Sequence, residues 1–140
     1  MHYLDTSVLV AYYYPEPRSL EIQRIMKQIT DPTICPLVEV ELYCAMARKV
    51  RAREMDAAAA RRIFSQFETH LAEAKFQMVP IRAADYTRAR GWIEQLDSPL
   101  RVLDALHLAV ASAHGLCLVT ADKELALSAR HFGARYKLVE

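Results

Sequence analysis

Short apolar runs alternate along this chain with longer stretches in which apolar residues return every three or four positions. The short runs, at 3–4, 33–35, 77–79, 117–120 and 136–139, have the length of buried strands. The longer stretches predict helices over 7–14, 17–29, 37–52, 54–74, 83–96, 101–114 and 123–131. Punctuation agrees with these limits. Pro15 and Asp31-Pro32 close the first two helices, Pro36 opens the third, Ser98-Pro99 precedes the sixth, and Gly115 stands where a C-terminal cap belongs. Strands that alternate with helices predict an α/β fold with a small, mostly parallel sheet of about five strands, flanked by helices on both faces.

Composition sharpens this picture only slightly. At 140 residues, 53% of them hydrophobic, the chain is expected to be one domain, 1–140, with a real core. Lys and Arg number 18 against 17 Asp and Glu, so bulk charge does not steer it to nucleic acid, and any such contact must come from a local patch. Three scattered cysteines, Cys35, Cys44 and Cys117, in no metal-ribbon spacing, read as small buried residues of a reducing compartment. No basic leader opens the chain, and no apolar run approaches the ~18 residues of a membrane span. A soluble, cytoplasmic protein with no membrane partner is expected.

Much chemistry is excluded by what is missing. Three glycines, Gly91, Gly115 and Gly133, leave no G-x-G-x-x-G and no P-loop, and neither G-x-S-x-G nor H-E-x-x-H occurs. Carboxylates remain. Asp5 follows the first strand and Asp122 the fourth, at the strand ends that border the crevice of an open parallel sheet. Each also stands where a helix N-cap belongs. Asp104 interrupts the apolar stretch from Val102 to Val110, in a helix expected to be largely buried, where an isolated charge is costly unless paired or metal-bound. His107, three residues on, is a candidate partner for it. Glu41 lies in the first turns of the third helix, where an acid also suits the helix dipole. Four carboxylates at one crevice repel unless a cation or protons offset them, and hard oxygen ligands favour Mg²⁺ or Mn²⁺. Such a site suits phosphodiester cleavage by a metal-activated water.

Leu4-Asp5-Thr6-Ser7, Val40-Glu41-Leu42, the segment from Leu103 to Ala109 (LDALHLA) and Val119-Thr120-Ala121-Asp122, in that order and spacing, resemble the PIN domain family, in particular its VapC-type toxin ribonucleases. The resemblance covers essentially the whole chain. It implies an acidic quartet of Asp5, Glu41, Asp104 and Asp122 holding Mg²⁺ or Mn²⁺, with the hydroxyls of Ser7 and Thr120 beside it. Glu39 competes with Glu41 for the second position, and two residues apart on a helix the two face different ways. The same resemblance implies a PIN-like fold, cleavage of single-stranded RNA, a homodimer, and a cognate antitoxin that blocks the site with an Arg or Lys.

Around the quartet, Arg48, Lys49, Arg51, Arg53, Arg61 and Arg62 read either as a basic rim for an RNA backbone or as a solvated helical hairpin. Tyr12, Tyr13, Tyr14, Tyr86 and Trp92 read as base-stacking, core or interface residues, and Arg101 as a phosphate contact. An aspartyl-phosphate phosphatase would need an acid where Ser7 stands. A phospho-receiver-like module would need an acid after the third strand, where Val79-Pro80-Ile81 follows instead. A degenerate PIN-like binding module is the remaining non-enzymatic alternative.

Overall fold

A computed structural model describes all of residues 1–140. The elements follow the predicted alternation: β1 (His2–Leu4), α1 (Thr6–Tyr13), α2 (Ser19–Gln28), β2 (Pro32–Ile34), α3 (Pro36–Arg51), α4 (Ala57–Ala72), β3 (Gln77–Met78), α5 (Ala83–Ile93), α6 (Val102–Ala113), β4 (Cys117–Thr120), α7 (Lys123–His131) and β5 (Tyr136–Leu138). Local chemistry sets the boundaries. Pro36 occupies the first turn of α3, where its missing N–H costs nothing, directly after extended Cys35. Asp56 accepts the Ala59 N–H, so α4 begins at Ala57 and not at 54. Gly115, at φ +63°, lets Leu116 N–H reach back to the Ala111 carbonyl and closes α6.

The five strands lie in the order β3-β2-β1-β4-β5, with every neighbouring pair parallel. This is the α/β architecture the alternation predicts. Adjacent residues of a strand point to opposite faces, and Tyr3 with Leu4 in β1, like Leu118 with Val119 in β4, are fully buried. Both faces of the sheet are therefore covered, as parallel sheets require. One hydrophobic core of 32 buried residues runs through the molecule, including Leu9, Leu42, Phe67 and Leu108. From β1 the chain builds outward through β2 and β3, then crosses to the other side for β4 and β5. That reversal opens a crevice beyond the carboxyl ends of β1 and β4.

One expectation needs correction. The apolar helix around Asp104 is buried only from Ala105 onward; Val102 and Leu103 are 66% and 44% exposed. The first turn of α6 projects past the sheet edge, so Asp104 is half-buried and not sealed in the core. No helix is long and apolar enough to cross a membrane.

Candidate functional site

Asp5 leaves the end of β1 and caps α1, accepting the Val8 N–H on Oδ1 at 3.2 Å. Ser7 Oγ donates to the same oxygen and Thr120 Oγ1, at the end of β4, to Oδ2, each at 2.5 Å. The two hydroxyls are tied in turn to the β4–α7 turn. Ala121 N–H donates to Ser7 Oγ and Asp122 N–H to Thr120 Oγ1. Asp122 caps α7 through Oδ1, which accepts the N–H groups of Glu124 and Leu125. Both aspartates are thus helix caps, and both also line one cavity of about 620 Å³ at the crevice.

Two further acids reach that cavity from other elements. Asp104 enters from the first turn of α6, and Glu41 from α3. Glu39 lies outside the lining, so of the two glutamates Glu41 is the one placed beside the aspartates. The acids sense one another. Burial lifts the Asp104 carboxyl above its usual range, helped by the charges of Asp122 and Asp5 and opposed by Arg101 and His107. Burial also lifts Asp5, against the pull of its hydrogen bonds from Ser7, Thr120 and Val8. The Arg101 contact with Asp104 is a long 3.8 Å, from a guanidinium 74% exposed, and adds little.

The candidate pairing of Asp104 with His107 does not form. The His107 ring, 2% exposed, lies between the core and the cavity: Nε2 donates to Glu41 Oε1 and Nδ1 meets the buried Tyr3 hydroxyl at 2.7 Å. The Tyr3 hydroxyl donates in turn to Cys35 Sγ at 3.0 Å, and Thr6 Oγ1 donates to Glu41 Oε1 at 2.8 Å. Burial alone would lower the imidazole, but Cys35 and Glu41 favour its charged form and push it up to about 10. Burial likewise opposes ionisation of Glu41, and the bond and charge of His107, with Thr6, hold its carboxyl below the usual range. Tyr3, Thr6, Cys35 and the true role of His107 were not legible in the chain. A lone tyrosine in a strand is ordinary core, and only the alternation of partners in space reveals the network. The one available signal was a histidine inside an otherwise apolar helical run.

The donor set is one of hard oxygens. His107 has both nitrogens engaged, and Glu41 Oε2, Asp104 Oδ1 and Asp122 Oδ2 carry no hydrogen bond. Carboxylates alone, with Asp104 raised by burial and by the charges of Asp122 and Asp5, suit Mg²⁺ or Mn²⁺ in their chemistry and not zinc or copper. As the side chains stand, no three His, Cys, Asp or Glu groups are arranged to hold an ion, so gripping one requires the carboxylates to close in.

Of the basic window, only Arg48 and Lys49 line the cavity, joined there by Arg18; Arg51, Arg53, Arg61 and Arg62 are exposed elsewhere. Lys49 is partly spoken for, 3.5 Å from Glu54 and 4.0 Å from the centre of the Tyr14 ring. None of the five aromatics lines the cavity. Tyr13 bonds His70 at 2.6 Å, Tyr12 accepts from Lys75, Trp92 stacks on Phe132, and Tyr86 stands exposed. Base stacking at the acids therefore has no residue to perform it. The cysteines also differ from expectation: all are free, but only Cys35 is fully buried and Cys44 is exposed on the cavity wall. The receiver-like alternative finds no acid at the sheet end it needs, since β3 is an edge strand followed by Val79-Pro80.

Comparison with known proteins places this geometry. The profile of the family described as PIN domain matches residues 2–130. No match is found among curated protein sequences. Among solved structures, FitAcB from Neisseria gonorrhoeae superposes with a TM-score of 0.76 at 18% identity, covering 97% of this chain and 96% of that one. The Mycobacterium tuberculosis VapC20 toxin, described as cleaving the sarcin-ricin loop, gives 0.71 at 16% identity over 91% and 95%. DNA-bound VapBC from Salmonella typhimurium gives 0.69 at 16% over 99% and 98%. At these identities the likeness is one of fold.

Proposed function

Because the chain belongs to the PIN domain family, we propose that it is a Mg²⁺- or Mn²⁺-dependent endoribonuclease, the toxin of a toxin–antitoxin pair. The observation that carries this reading is the meeting of Asp5, Glu41, Asp104 and Asp122, from four separate elements, on the wall of one cavity at the crevice of the sheet. Structural likeness to VapC20 and to VapBC assemblies supports the toxin assignment.

Asp5, Asp104 and Asp122 would hold the ion, with Glu41 binding it directly or through water. A bound divalent ion supplies a water of lowered pKa and offsets the charge that builds on the scissile phosphate. The chain's own groups prepare the rest. Ser7 and Thr120 clamp both oxygens of Asp5, fixing its rotamer; with Val8 N–H also on Oδ1, it is Oδ2 that keeps a further lone pair. Burial raises both the Asp104 and Asp5 carboxyls, and at Asp104 the charges of Asp122 and Asp5 add to it, so a cation between them would be welcome. Arg48 and Arg18, on the wall of the same cavity, offer charge to the phosphates of the RNA backbone. The same excess of carboxylates would receive an arginine or lysine of a cognate antitoxin. A homodimer belongs to the same proposal, with exposed apolar side chains such as Leu20, Val40 and Leu127 available to partners.

Purified protein given a single-stranded RNA should cleave it with Mg²⁺ or Mn²⁺, water attacking phosphorus and the 3′-oxygen leaving, to give 5′-phosphate and 3′-hydroxyl ends. Excess EDTA should stop cleavage, and restored Mn²⁺ should revive it. Equal cleavage in EDTA, or 2′,3′-cyclic phosphate products, would sink the reading.

A further inference from the structure

Glu41 is held in an unusual way for a helix-surface acid. Both of its hydrogen bonds, from Thr6 Oγ1 and from His107 Nε2, fall on one oxygen, Oε1. Oε2 has no protein donor, although the residue lines the cavity. The imidazole that makes the second bond is itself fixed. Its other nitrogen meets the Tyr3 hydroxyl at 2.7 Å, and that hydroxyl is 3.0 Å from Cys35 Sγ. Tyr3 and Cys35 are fully buried, and His107 is 2% exposed. Tyr3 belongs to β1, the strand that delivers Asp5 two residues later, and Cys35 closes β2 and opens α3, the helix that carries Glu41. Turning Glu41 away would leave the imidazole N–H of a residue only 2% exposed without its protein acceptor, so the carboxylate is held from behind through the Tyr3–His107 chain.

We propose that His107 is a positioning residue for the metal site: together with Thr6 it ties down Oε1 of Glu41 and thereby presents Oε2 to a divalent cation or to its bound water. This rests on the metal-dependent reading given above. The arrangement follows the general logic of metal centres, in which a group behind the ligand fixes its orientation. Tyr3, one bond further back, sets which way the imidazole faces, and the β1 strand so aligns two of the four acids at once.

The test uses the purified full-length chain and Mn²⁺ alone, with free Mn²⁺ read by electron paramagnetic resonance and folding by circular dichroism. His107→Leu, which fills the space but donates nothing, should weaken Mn²⁺ binding about 10- to 100-fold. His107→Gln keeps an amide donor and should recover part of that loss, a rescue that mere core packing does not predict. Adding His107→Leu to Glu41→Gln should weaken binding no further than Glu41→Gln alone, because the effect passes through that carboxylate. Should His107→Leu fail to fold, Thr6→Val and Tyr3→Phe each remove one hydroxyl and should each lower Mn²⁺ affinity. A folded His107→Leu, or in its absence a folded Thr6→Val and Tyr3→Phe pair, with wild-type affinity would overturn the positioning role while leaving the metal site standing. So would a double variant much weaker than Glu41→Gln. A wild-type chain that binds no Mn²⁺ at millimolar concentration would instead remove the metal reading, and this role with it.

Discussion

At the scale of single residues, the site is built from groups that serve two purposes. Asp5 caps α1 and also faces the cavity, and the cost of its burial is set against three hydrogen bonds. Its carboxyl is raised by burial, so its charge weakens the fold above the usual carboxylate range. Asp5→Asn keeps an acceptor for Val8 and removes that charge. The variant should fold with a melting temperature equal to or above wild type, yet lose RNA cleavage by about 100-fold or more, as calorimetry and a cleavage assay will read. His107 works with the opposite sign. Its folded value of about 10 lies above the ordinary 6.5, so the pair with Glu41 contributes fully below pH 6.5 and fades as pH climbs towards 10. Glu41, held low, sets the acid limit: its share is present above its ordinary 4.5 and is lost as pH falls below that. The stability gap between wild type and His107→Leu, from urea midpoints, should therefore be widest between about pH 5 and 6.5 and narrow steadily on the alkaline side.

At the scale of elements, the period of apolar positions carried most of the architecture. The strand at 117–120 and the helix at 123–131 fall where the pattern puts them, because both sit between strong turn signals and are buried on the expected faces. What periodicity could not convey is direction in space. Asp104 and His107 share a helix three residues apart and both border the cavity, yet His107 is bound to Glu41 and Tyr3, partners from elsewhere in the chain, and not to Asp104. The acids themselves were legible because strand ends in a parallel sheet converge on one edge; the hydrogen bonds that orient them were not. Helix ends hold a further testable feature. Ala74 follows α4 at φ +55°, a left-handed conformation that costs an alanine about 1–2 kcal/mol. Its N–H and that of Lys75 reach back to Leu71 and His70, as in a glycine-ended helix. Ala74→Gly should raise stability by about 0.5–1 kcal/mol after the added freedom of the unfolded chain is subtracted, with no change in Mn²⁺ binding.

At the scale of the whole molecule, the near balance of 18 cationic and 17 anionic side chains is matched by a cavity that mixes both signs. Asp5, Glu16, Glu41, Glu54, Asp104 and Asp122 line it, and so do the cations Arg18, Arg48 and Lys49. Of these cations Arg48 is exposed and forms no ion pair with a carboxylate. Arg48→Gln should raise KM for RNA several-fold, leave kcat near wild type, and reduce the slope of log affinity against log salt by about 0.7, the share of one phosphate contact on a single strand. The same substitution at Arg61, which lies off the cavity, should leave all three unchanged.

The pairing of β1 with β4 has a consequence for synthesis. Asp5 waits for Thr120, 115 positions further along, and His2 for Cys117. A ribosome making this chain has released the strand with the first acid long before the last acid exists, and the crevice closes only once β4 has emerged. Prematurely terminated products ending before β4 therefore contain three of the four carboxylates but lack Asp122 and the Thr120 half of the clamp on Asp5. Synthesis of β4 is itself the step that assembles the crevice.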